Sequence, residues 1–319
     1  MQNVNIGPLP PPLGGISVYL YRLSKLEKRS IFLDVKEFNN FFKNNLWLIK
    51  QTFNFSKKNF ICHSHPLNIK LLLYFLSCLS IHDFSLVIHG RLLIEQYNKA
   101  NFFIKLLTRK MLKRAKFIQV VNNDYKIFIN SLGIKNRNIF VKNAFLPPPL
   151  EEESKIITTY DEELINFIQT KKPLIVANAY ALDFHNNEDL YGLDMCIELI
   201  KLLKKDFPSV GFLFALANEK INNYYFEKMK NKVKKLNLQE NFYFIIGQKE
   251  LWPLFKKVDL MIRPTCVDAY GISIAEALYF SCPAIASDVC IRPKGTILFK
   301  NRNLADLYEK CKQVLNEIF

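Results

Sequence analysis

The sequence predicts an α/β protein made of two domains, each built on a parallel β-sheet. Short apolar segments alternate with amphipathic, helix-like segments along the chain, which is the pattern of strands joined by helical crossovers. The alternation restarts near Pro173, after a cluster of prolines and an acidic run. A chain of 319 residues is long enough to bury two such cores. We therefore expect domains at 1–150 and 172–319, with a linker at roughly 146–172.

Composition and charge narrow the class of protein. Half of the residues are hydrophobic, including 27 Phe and 14 Tyr, so the chain is globular rather than disordered. The net charge of +15 indicates an anionic partner, for which nucleic acid, an anionic membrane and a nucleotide diphosphate all qualify. The seven cysteines have no spacing typical of metal sites, which favours reduced thiols in the cytoplasm.

Targeting signals are not expected. The first 15 residues have neither the basic start nor the apolar core of a signal peptide. The longest apolar stretch, 69–81, contains Lys70 and is too short to span a bilayer. These features favour a cytoplasmic protein.

The first half opens with a strand and a Pro-Gly loop, and a helix follows from about Ile16. Further strands are predicted at 31–35, 60–63, 86–89, 117–121 and 139–141. Helices between them would make the sheet parallel.

A basic amphipathic helix is predicted at 101–116. Its apolar side is expected to contain Phe103, Leu106, Leu107 and Met111, with Lys and Arg largely on the other sides. Such a helix is either an ordinary surface helix or one that lies on an anionic membrane, where each Lys or Arg contributes about 1 kcal/mol. The sequence leaves both interpretations open.

Two features of the first half are candidates for a ligand site. Gly14 and Gly15 lie between a strand and a helix, where the backbone can approach a bound group and the helix N-terminus favours phosphate. Tight turns use such pairs as well. His89 stands at the end of a strand, where a reacting group is expected, although a lone histidine there is more often structural.

Two further histidines raise the question of a metal site. His63 and His65, with Cys62 beside them, would share one face of a strand. No third ligand has a suggestive spacing, so no metal site is predicted.

The second half repeats the alternation of strands and helices. Strands are predicted at 173–178, 210–216, 242–246, 260–262 and 283–286, and helices at 194–205, 224–236, from near Ser273, and at 303–318. In the first of these helices an apolar stripe is expected to belong to the core rather than to a site; it consists of Cys196, Leu199, Ile200 and Leu203.

The stretch from 263 to 289 carries the most chemistry. A strand, a loop, a helix and a second strand follow one another, and ligands of such units bind outside the carboxyl ends of the strands. Asp268 lies in the loop and Glu276 eight residues later in the helix, so both carboxylates can face this crevice. Gly271 allows a close backbone approach. The alternative is that Ser273 and Glu276 form a capping box that merely closes the helix N-terminus.

At these residues, D-A-Y-G-I-S-I-A-E followed by S-C-P and S-D, the chain resembles the family-4 retaining glycosyltransferases. Their signature is Glu, Gly, Phe, Gly, four residues and a second Glu, then a small-residue-Pro strand entry and often Ser-Asp. Their fold is GT-B, two Rossmann-like domains facing across a cleft. The resemblance implies that Glu276 binds the ribose of a nucleotide and that Asp268 contacts the transferred sugar. It also implies a donor contact for the turn residues Tyr270, Gly271 and Ile272.

The resemblance gives the candidates of the first half a role as well. In the family a glycine pair near the N-terminus lies beside the diphosphate and sugar, which implies this position for Gly14 and Gly15. A histidine at the end of the corresponding strand lies near the donor sugar, which implies an active-site position for His89.

The chain departs from the family where the diphosphate is held. The family carries an Arg after the first strand of the second domain and a Lys before a Gly at the next helix. Here Tyr180 and Tyr191 occupy roughly those positions, and Gly192 is kept. Stabilisation of the leaving diphosphate is usually the largest catalytic effect, so another cation is expected. Arg263 is preferred because a guanidinium binds phosphate bidentately, and Lys249 is the second candidate; Arg263 could instead pair with a carboxylate such as Asp259 or Asp268.

The resulting hypothesis is transfer of a sugar from a nucleotide diphosphate to an acceptor hydroxyl with retention, in the synthesis of a bacterial surface glycan. The acceptor would be a glycan or a lipid-linked glycan, and a position on the inner membrane face through 101–116 is an option. No metal or other cofactor is expected, because the sequence has no Asp-x-Asp motif. The alternatives are a non-catalytic GT-B protein that binds sugar nucleotides and a sugar-nucleotide epimerase. Nucleic-acid binding is not expected, because no recognised motif accompanies the positive charge.

Overall fold

The computed structural model describes residues 1–34, 56–63, 67–134 and 138–319. The chain divides into two compact units, Met1–Leu146 and Pro147–Phe319. Each unit contains one parallel six-stranded sheet, and the second unit adds a short antiparallel hairpin.

In the first unit the strands are β1 Gln2–Gly7, β2 Ile31–Asp34, β3 Lys58–His63, β4 Asp83–Ile88, β5 Ile118–Val120 and β6 Ile139–Val141. Their order in the sheet is β2-β1-β3-β4-β5-β6, and every pair is parallel. The chain changes direction across the sheet between β1 and β3. Ligands of open α/β sheets bind at such a switch point, outside the carboxyl ends of the strands.

The helices of the first unit are α1 Gly15–Leu26, α2 Leu67–Cys78, α3 Leu92–Lys99, α4 Phe102–Arg114 and α5 Asn123–Ser131. The side chains of Asn101 and Asn122 accept hydrogen bonds from the amides of Ile104 and Tyr125, which fixes the starts of α4 and α5.

The predicted basic helix is α4, but its apolar side was predicted incorrectly. Thr108, Met111 and Leu112 form the buried side, whereas Phe103 and Leu106 are exposed. At 100° per residue, Leu106 lies about 140° around the helix axis from Met111, so the two cannot share one side of the helix.

In the second unit the strands are β7 Leu174–Ala181, β8 Phe184–His185, β9 Glu188–Asp189, β10 Gly211–Asn218, β11 Phe242–Ile246, β12 Leu260–Arg263, β13 Ala284–Ser287 and β14 Ile297–Phe299. The order in the main sheet is β11-β10-β7-β12-β13-β14, and β8 pairs with β9. The switch point of this sheet lies between β7 and β12.

The helices of the second unit are α6 Glu153–Ile157, α7 Glu162–Thr170, α8 Leu193–Asp206, α9 Asn223–Lys235, α10 Ile272–Tyr279 and α11 Leu304–Ile318, with 3-10 turns at Leu150–Glu152 and Trp252–Lys256. Alternate residues of β7 face the two sides of the sheet: Ile175 packs with α8, α9 and α11, and Val176 with α7 and α10. The predicted stripe on α8 is fully buried in the first of these two cores.

The predicted linker at 146–172 differs from the structure. The two units divide after Leu146, and most of the following residues form α6 and α7. Leu164 and Phe167, one turn apart on α7, are buried in the core of the second unit. The proline cluster and the acidic run hid this short apolar side of α7 in the sequence.

Candidate functional site

Three charged side chains meet at the switch point of the second sheet. Arg263 ends β12, and its Nε donates to Asp268 Oδ2 at 2.5 Å. Arg292, from the loop after β13, donates from Nη1 to the same oxygen at 2.6 Å. We call Arg263, Asp268 and Arg292 the charged array. Of the two carboxylates considered as partners of Arg263, the structure pairs it with Asp268 and not with Asp259, and its phosphate role stays a prediction.

Arg292 was not predicted from the sequence. Its side chain is only 2% exposed. Nε donates to Ser287 O at 3.0 Å, and Nη2 donates to Ser287 Oγ at 2.9 Å and to Thr265 Oγ1 at 3.1 Å. It therefore ties the loop after β13 to the loop after β12. No spacing rule links it to Asp268, 24 residues earlier.

Arg263 is bound less completely than Arg292. Its Nη1 lies 3.4 Å from Asn178 Oδ1 on β7 and 3.5 Å from Ser273 Oγ, both long for hydrogen bonds. Its side chain is 14% exposed, and the Tyr191 ring lies 5.9 Å from the guanidinium carbon. The guanidinium therefore keeps donor capacity at the carboxyl edge of the sheet.

The charged array carries a net positive charge. Burial alone would raise the pKa of Asp268, but the guanidiniums of Arg263 and Arg292 outweigh it and hold that pKa far below its ordinary value. Burial opposes the charge of Arg263 as well, yet Asp268 raises the pKa of Arg263 above its ordinary value. Two cations thus face one carboxylate, and the excess charge suits an anionic ligand.

The turn before α10 requires a glycine. Gly271 precedes the helix with φ +89°, and a Cβ there would meet Ile274 Cδ1 at 2.8 Å and Arg292 Nη1 at 3.2 Å. Tyr270 and Ile272 flank it and are half-buried. The predicted glycine turn is thus part of the same local structure as the charged array.

Glu276 does not take part in the alternative capping box. The residue preceding α10 is Gly271, no side chain caps the helix, and both Ser273 and Glu276 lie within it. Glu276 is buried. The capping box therefore does not account for this carboxylate, and its predicted contact with ribose stays a prediction.

Lys249 lies apart from the charged array. Its ammonium pairs with Asp161 at 3.0 Å, and it follows β11, the edge strand of the sheet. Three strand spacings separate β11 from β12, which corresponds to about 14 Å. The structure therefore brings Asp268, Gly271 and Arg263 together, but not Lys249.

The start of α8, where the family resemblance implies a Lys, contains an internal carboxylate instead. Asp189, at the end of the β8-β9 hairpin, accepts from the amides of Tyr191 and Gly192 at 3.0 Å and of Asp194 at 3.2 Å. The Tyr225 hydroxyl donates to it at 2.9 Å. Burial, and next the charge of Asp194, raises the pKa of Asp189. Asp189 therefore occupies the amide of Asp194 in the first turn of α8 and the two amides of Tyr191 and Gly192 before the helix.

In the first unit, polar side chains also meet at the switch point of the sheet. His63 Nε2 lies 2.9 Å from Asn5 Oδ1 on β1, and His63 Nδ1 lies 3.1 Å from His89 Nε2, just after β4. We call Asn5, His63 and His89 the neutral array. His63, which the sequence analysis weighed and rejected as a metal ligand, connects His89 to β1. His65 lies outside the described residues.

The hydrogen bonds of the neutral array specify its protonation. With the Asn5 oxygen as acceptor, His63 donates from Nε2, and a neutral His63 ring accepts at Nδ1. His89 then donates from Nε2. Burial lowers the pKa of His89 to about 4, so the ring is neutral near pH 7.

The glycine pair of the first unit stands at the start of α1. Gly14 precedes the helix and Gly15 is its first residue. A Cβ on Gly14 would meet only Ser17 Oγ, at 3.8 Å, and its φ of −126° suits any residue. The packing and backbone conformation of this unit do not themselves demand a glycine at 14.

Two other properties bear on the predictions. Within the described residues, no group of three or more His, Cys, Asp or Glu side chains is arranged to hold a metal ion. In the same part of the chain, no helix is long and apolar enough to cross a membrane.

Residues 170–317 match the family model described as Glycosyl transferases group 1. The match begins at the end of α7 and reaches into α11, so it covers the site of the second unit. The similarity to this family model therefore lies in the second unit. The lipopolysaccharide glucosyltransferase WaaG of Escherichia coli K12 is 26% identical over 99 residues, which are 31% of this chain and 25% of WaaG. The matched stretch thus spans about a quarter of that relative.

Solved structures match nearly the whole chain. Anabaena HepE in complex with UDP has a TM-score of 0.70 and 11% identity, covering 100% of this chain and 91% of HepE. A glycosyltransferase from Rickettsia africae has a TM-score of 0.70 and 16% identity, covering 99% of this chain and 88% of that protein. Likeness at such identities shows the fold, and it confirms the predicted GT-B class of α/β fold.

Proposed function

We propose that this chain is a retaining glycosyltransferase that moves a sugar from a nucleotide-diphosphate sugar to an acceptor hydroxyl, in the synthesis of a bacterial surface glycan. The main support for this proposal is the charged array, which lies at the switch point of the unit that matches the group 1 family model. A switch point is where such sheets bind nucleotides, and the excess positive charge there suits a diphosphate.

Each predicted residue has a proposed role. Glu276 binds the ribose hydroxyls, and Arg263 binds the diphosphate as it leaves. Tyr270, Gly271 and Ile272 form the turn beside the donor. Asp268 contacts sugar hydroxyls through Oδ1, which accepts only the Ala269 amide in the described part of the chain.

The residues of the first unit complete the proposal. His89 lies near the reacting carbon, where a neutral imidazole adds no positive charge to that of the sugar in the transition state. Gly14 and Gly15 let the backbone approach the donor. The acceptor attacks the face that the diphosphate leaves, and a phosphate oxygen takes the acceptor proton. Arg263 then stabilises the charge that develops on the diphosphate, so that the reaction proceeds without a metal.

The relatives support a donor and an acceptor class. HepE binds UDP in its crystal structure, and WaaG carries a name that refers to lipopolysaccharide. We accordingly propose UDP-sugars as the first donors to test and a glycan or lipid-linked glycan as the acceptor.

A thermal-shift screen against sugar nucleotides and nucleoside diphosphates tests this function. A ligand at about 100 times its dissociation constant stabilises the wild type by roughly 2.7 kcal/mol. Glu276→Ala should abolish the shift, whereas Glu309→Ala, an exposed change on α11, should keep it. The proposal fails if no nucleotide stabilises the wild type, or if Glu276→Ala responds like the wild type.

One observation favours a second candidate, a non-catalytic protein that binds sugar nucleotides. The start of α8 has Asp189 bound to its amides where the family resemblance implies a cation. Release of free sugar or of a glycosylated product from a bound donor would exclude this candidate. Conversion of one sugar nucleotide into its epimer without acceptor would instead identify an epimerase.

We also propose a peripheral contact of α4 with the inner membrane face. Phe102 and Phe103 are 81% and 69% exposed at its start, and the exposed Arg109 and Lys110 lie two turns further on. Exposed aromatics with nearby cations are typical of helices that bind anionic lipid surfaces.

Co-sedimentation with vesicles containing phosphatidylglycerol tests this contact. The double change Phe102→Ser and Phe103→Ser should abolish binding. Tyr224→Ser is the matched control, because Tyr224 is 85% exposed beside the lysines of α9 in the other unit. Equal binding to neutral vesicles, or equal loss in the control, would contradict the proposal.

A further inference from the structure

We propose that Asp268 is a positioning residue for Arg263: it orients the guanidinium that binds the diphosphate, and Arg292 in turn anchors Asp268. This inference rests on the proposed function and deepens it. It gives the first acid of the signature a role on the diphosphate, in addition to the sugar contact that the resemblance implies.

Asp268 binds both arginines through a single carboxylate oxygen. Oδ2 accepts from Arg263 Nε at 2.5 Å and from Arg292 Nη1 at 2.6 Å, and Thr265 Oγ1 lies 3.4 Å away. Bonds between ionised groups at these distances are the strong ones. The carboxylate is therefore committed on one side to the two arginines, before any ligand arrives.

Arg292 cannot itself receive the diphosphate. Each of its three nitrogens already donates to an oxygen of Asp268, Ser287 or Thr265, and its side chain is 2% exposed. Releasing a donor from this buried set would leave polar atoms unsatisfied. Its role is consequently to hold Asp268 and the two loops in place.

Arg263 has the complementary properties. Its one short bond runs from Nε, whereas Nη2 donates to no side chain or backbone atom in the described residues. A hydrogen bond from Nε fixes the plane of a guanidinium but leaves the edge between its two Nη atoms available for a bidentate anion. Asp268 holds Arg263 in this way.

The length of the acid agrees with this role. Asp268 is one methylene shorter than the Glu of the resembled family, and its carboxylate stays within 2.6 Å of both arginines. The charged array keeps one positive charge in excess directly before the start of α10, and the dipole of this helix also favours an anion. A diphosphate would neutralise that excess.

Isothermal titration with pyrophosphate, UDP, UMP and UDP-glucose tests the inference on the full chain. Asp268→Asn should weaken pyrophosphate and UDP by about tenfold or more, since Arg263 loses the charge-assisted hydrogen bond that orients it. Tighter binding, caused by the added positive charge, would overturn the inference. UDP-glucose should lose the same factor as UDP, and UMP should lose less. The control is Asp259→Asn. Asp259 pairs with Lys172 directly before β12, at the amino end of the strand that Arg263 ends, so this change should alter none of these affinities.

A double-mutant cycle shows whether Asp268 acts through Arg263. Arg263→Gln alone should weaken pyrophosphate, and adding Asp268→Asn should then cost nothing more. Additive losses would overturn the inference. Asp268→Glu retains the charge and is the second variant should Asp268→Asn fold poorly; it should weaken pyrophosphate by displacing the guanidinium.

The outcomes separate this inference from the proposed function. A loss in Asp268→Asn confined to UDP-glucose overturns the inference and leaves the transferase intact. Pyrophosphate binding that depends on Arg263 and Asp268, without binding of any nucleotide, supports the inference and overturns the transferase. Absence of pyrophosphate binding to the folded wild type overturns the inference.

Discussion

The charged array of the second unit and the neutral array of the first unit lie at corresponding points of two parallel sheets. In each, a polar side chain at the carboxyl end of a strand reaches across the switch point, Arg263 toward Asn178 and His63 to Asn5. The neutral array is buried, and in the charged array Arg292 is buried while Arg263 and Asp268 are half-buried, yet Asp268 is ionised and His89 is neutral. Burial opposes charge in both places, and only the second unit supplies counter-charges. Local pairing alone can therefore prepare similar switch points for an anion or for a neutral partner.

Removing the carboxylate of the charged array should have the largest effect. Asp268→Ala leaves the buried guanidinium of Arg292 and the half-buried one of Arg263 without their carboxylate, and breaking a buried ion pair in this way costs about 3–5 kcal/mol. Urea unfolding, followed by circular dichroism, should show this loss in the free energy of unfolding. A loss below about 1 kcal/mol in the free energy of unfolding would mean that water or another group already screens the arginines from each other.

The neutral array should determine how stability depends on pH between 4 and 6.5. The pKa of His89 falls from an ordinary 6.5 to about 4 on folding, so the unfolded chain binds more protons in this window. The His89 contribution is complete above pH 6.5 and is lost as the pH falls toward 4, by about 3 kcal/mol. Asp268, with its pKa depressed, loses its contribution only below its ordinary value of 3.8.

His89→Gln isolates this effect, because glutamine keeps a donor toward His63 but does not titrate. The difference in unfolding free energy between the wild type and the variant should shift by about 3 kcal/mol from pH 6.5 to pH 4. A constant difference would show that His89 titrates normally in the folded protein, and the two arrays would then not differ in this respect.

Much of the fold was predictable from local patterns. Short apolar segments located most strands of both sheets, and helical periodicity located several of the helices. The glycine turn with Asp268 and Glu276 marked the carboxyl edge of the second sheet. The α7 helix was missed because its buried residues Leu164 and Phe167 stand in a short segment next to prolines and acids. A short apolar side has too few repeats to be distinguished from a linker.

The partners within each array were not predictable. Asn5 and His63 meet because β1 pairs with β3, and 58 residues separate them. Arg292 reaches Asp268 because β13 lies beside β12. The only local signal is a polar residue at a buried strand position, as in Val4-Asn5-Ile6. Such a signal says that a partner exists, but the strand order decides which one it is.

Removing the acceptor of the neutral array should have an intermediate effect. Asn5→Leu leaves the Nε2 proton of His63 without its acceptor at a buried position, and an unsatisfied buried donor costs about 1–3 kcal/mol. Nitrogen-15 spectra of the imidazoles should also show a changed tautomer of His63 relative to the wild type. Unchanged stability together with unchanged spectra would mean that Asn5 does not determine the protonation of the array.

The smallest effect is expected from Lys249, and it tests whether the positive charge that matters is confined to the switch point. The Lys249-Asp161 pair lies by the edge strand, and the Asp161 side chain is 50% exposed, so Lys249→Ala should cost less than about 1 kcal/mol of stability. The affinity for UDP should stay unchanged, because about 14 Å of sheet separates β11 from β12. Arg263→Ala, measured beside it by the same titration, should lose most of the UDP affinity. If Lys249→Ala weakens UDP as much as Arg263→Ala does, the diphosphate is held from two places, and the charged array alone does not account for anion binding in this unit.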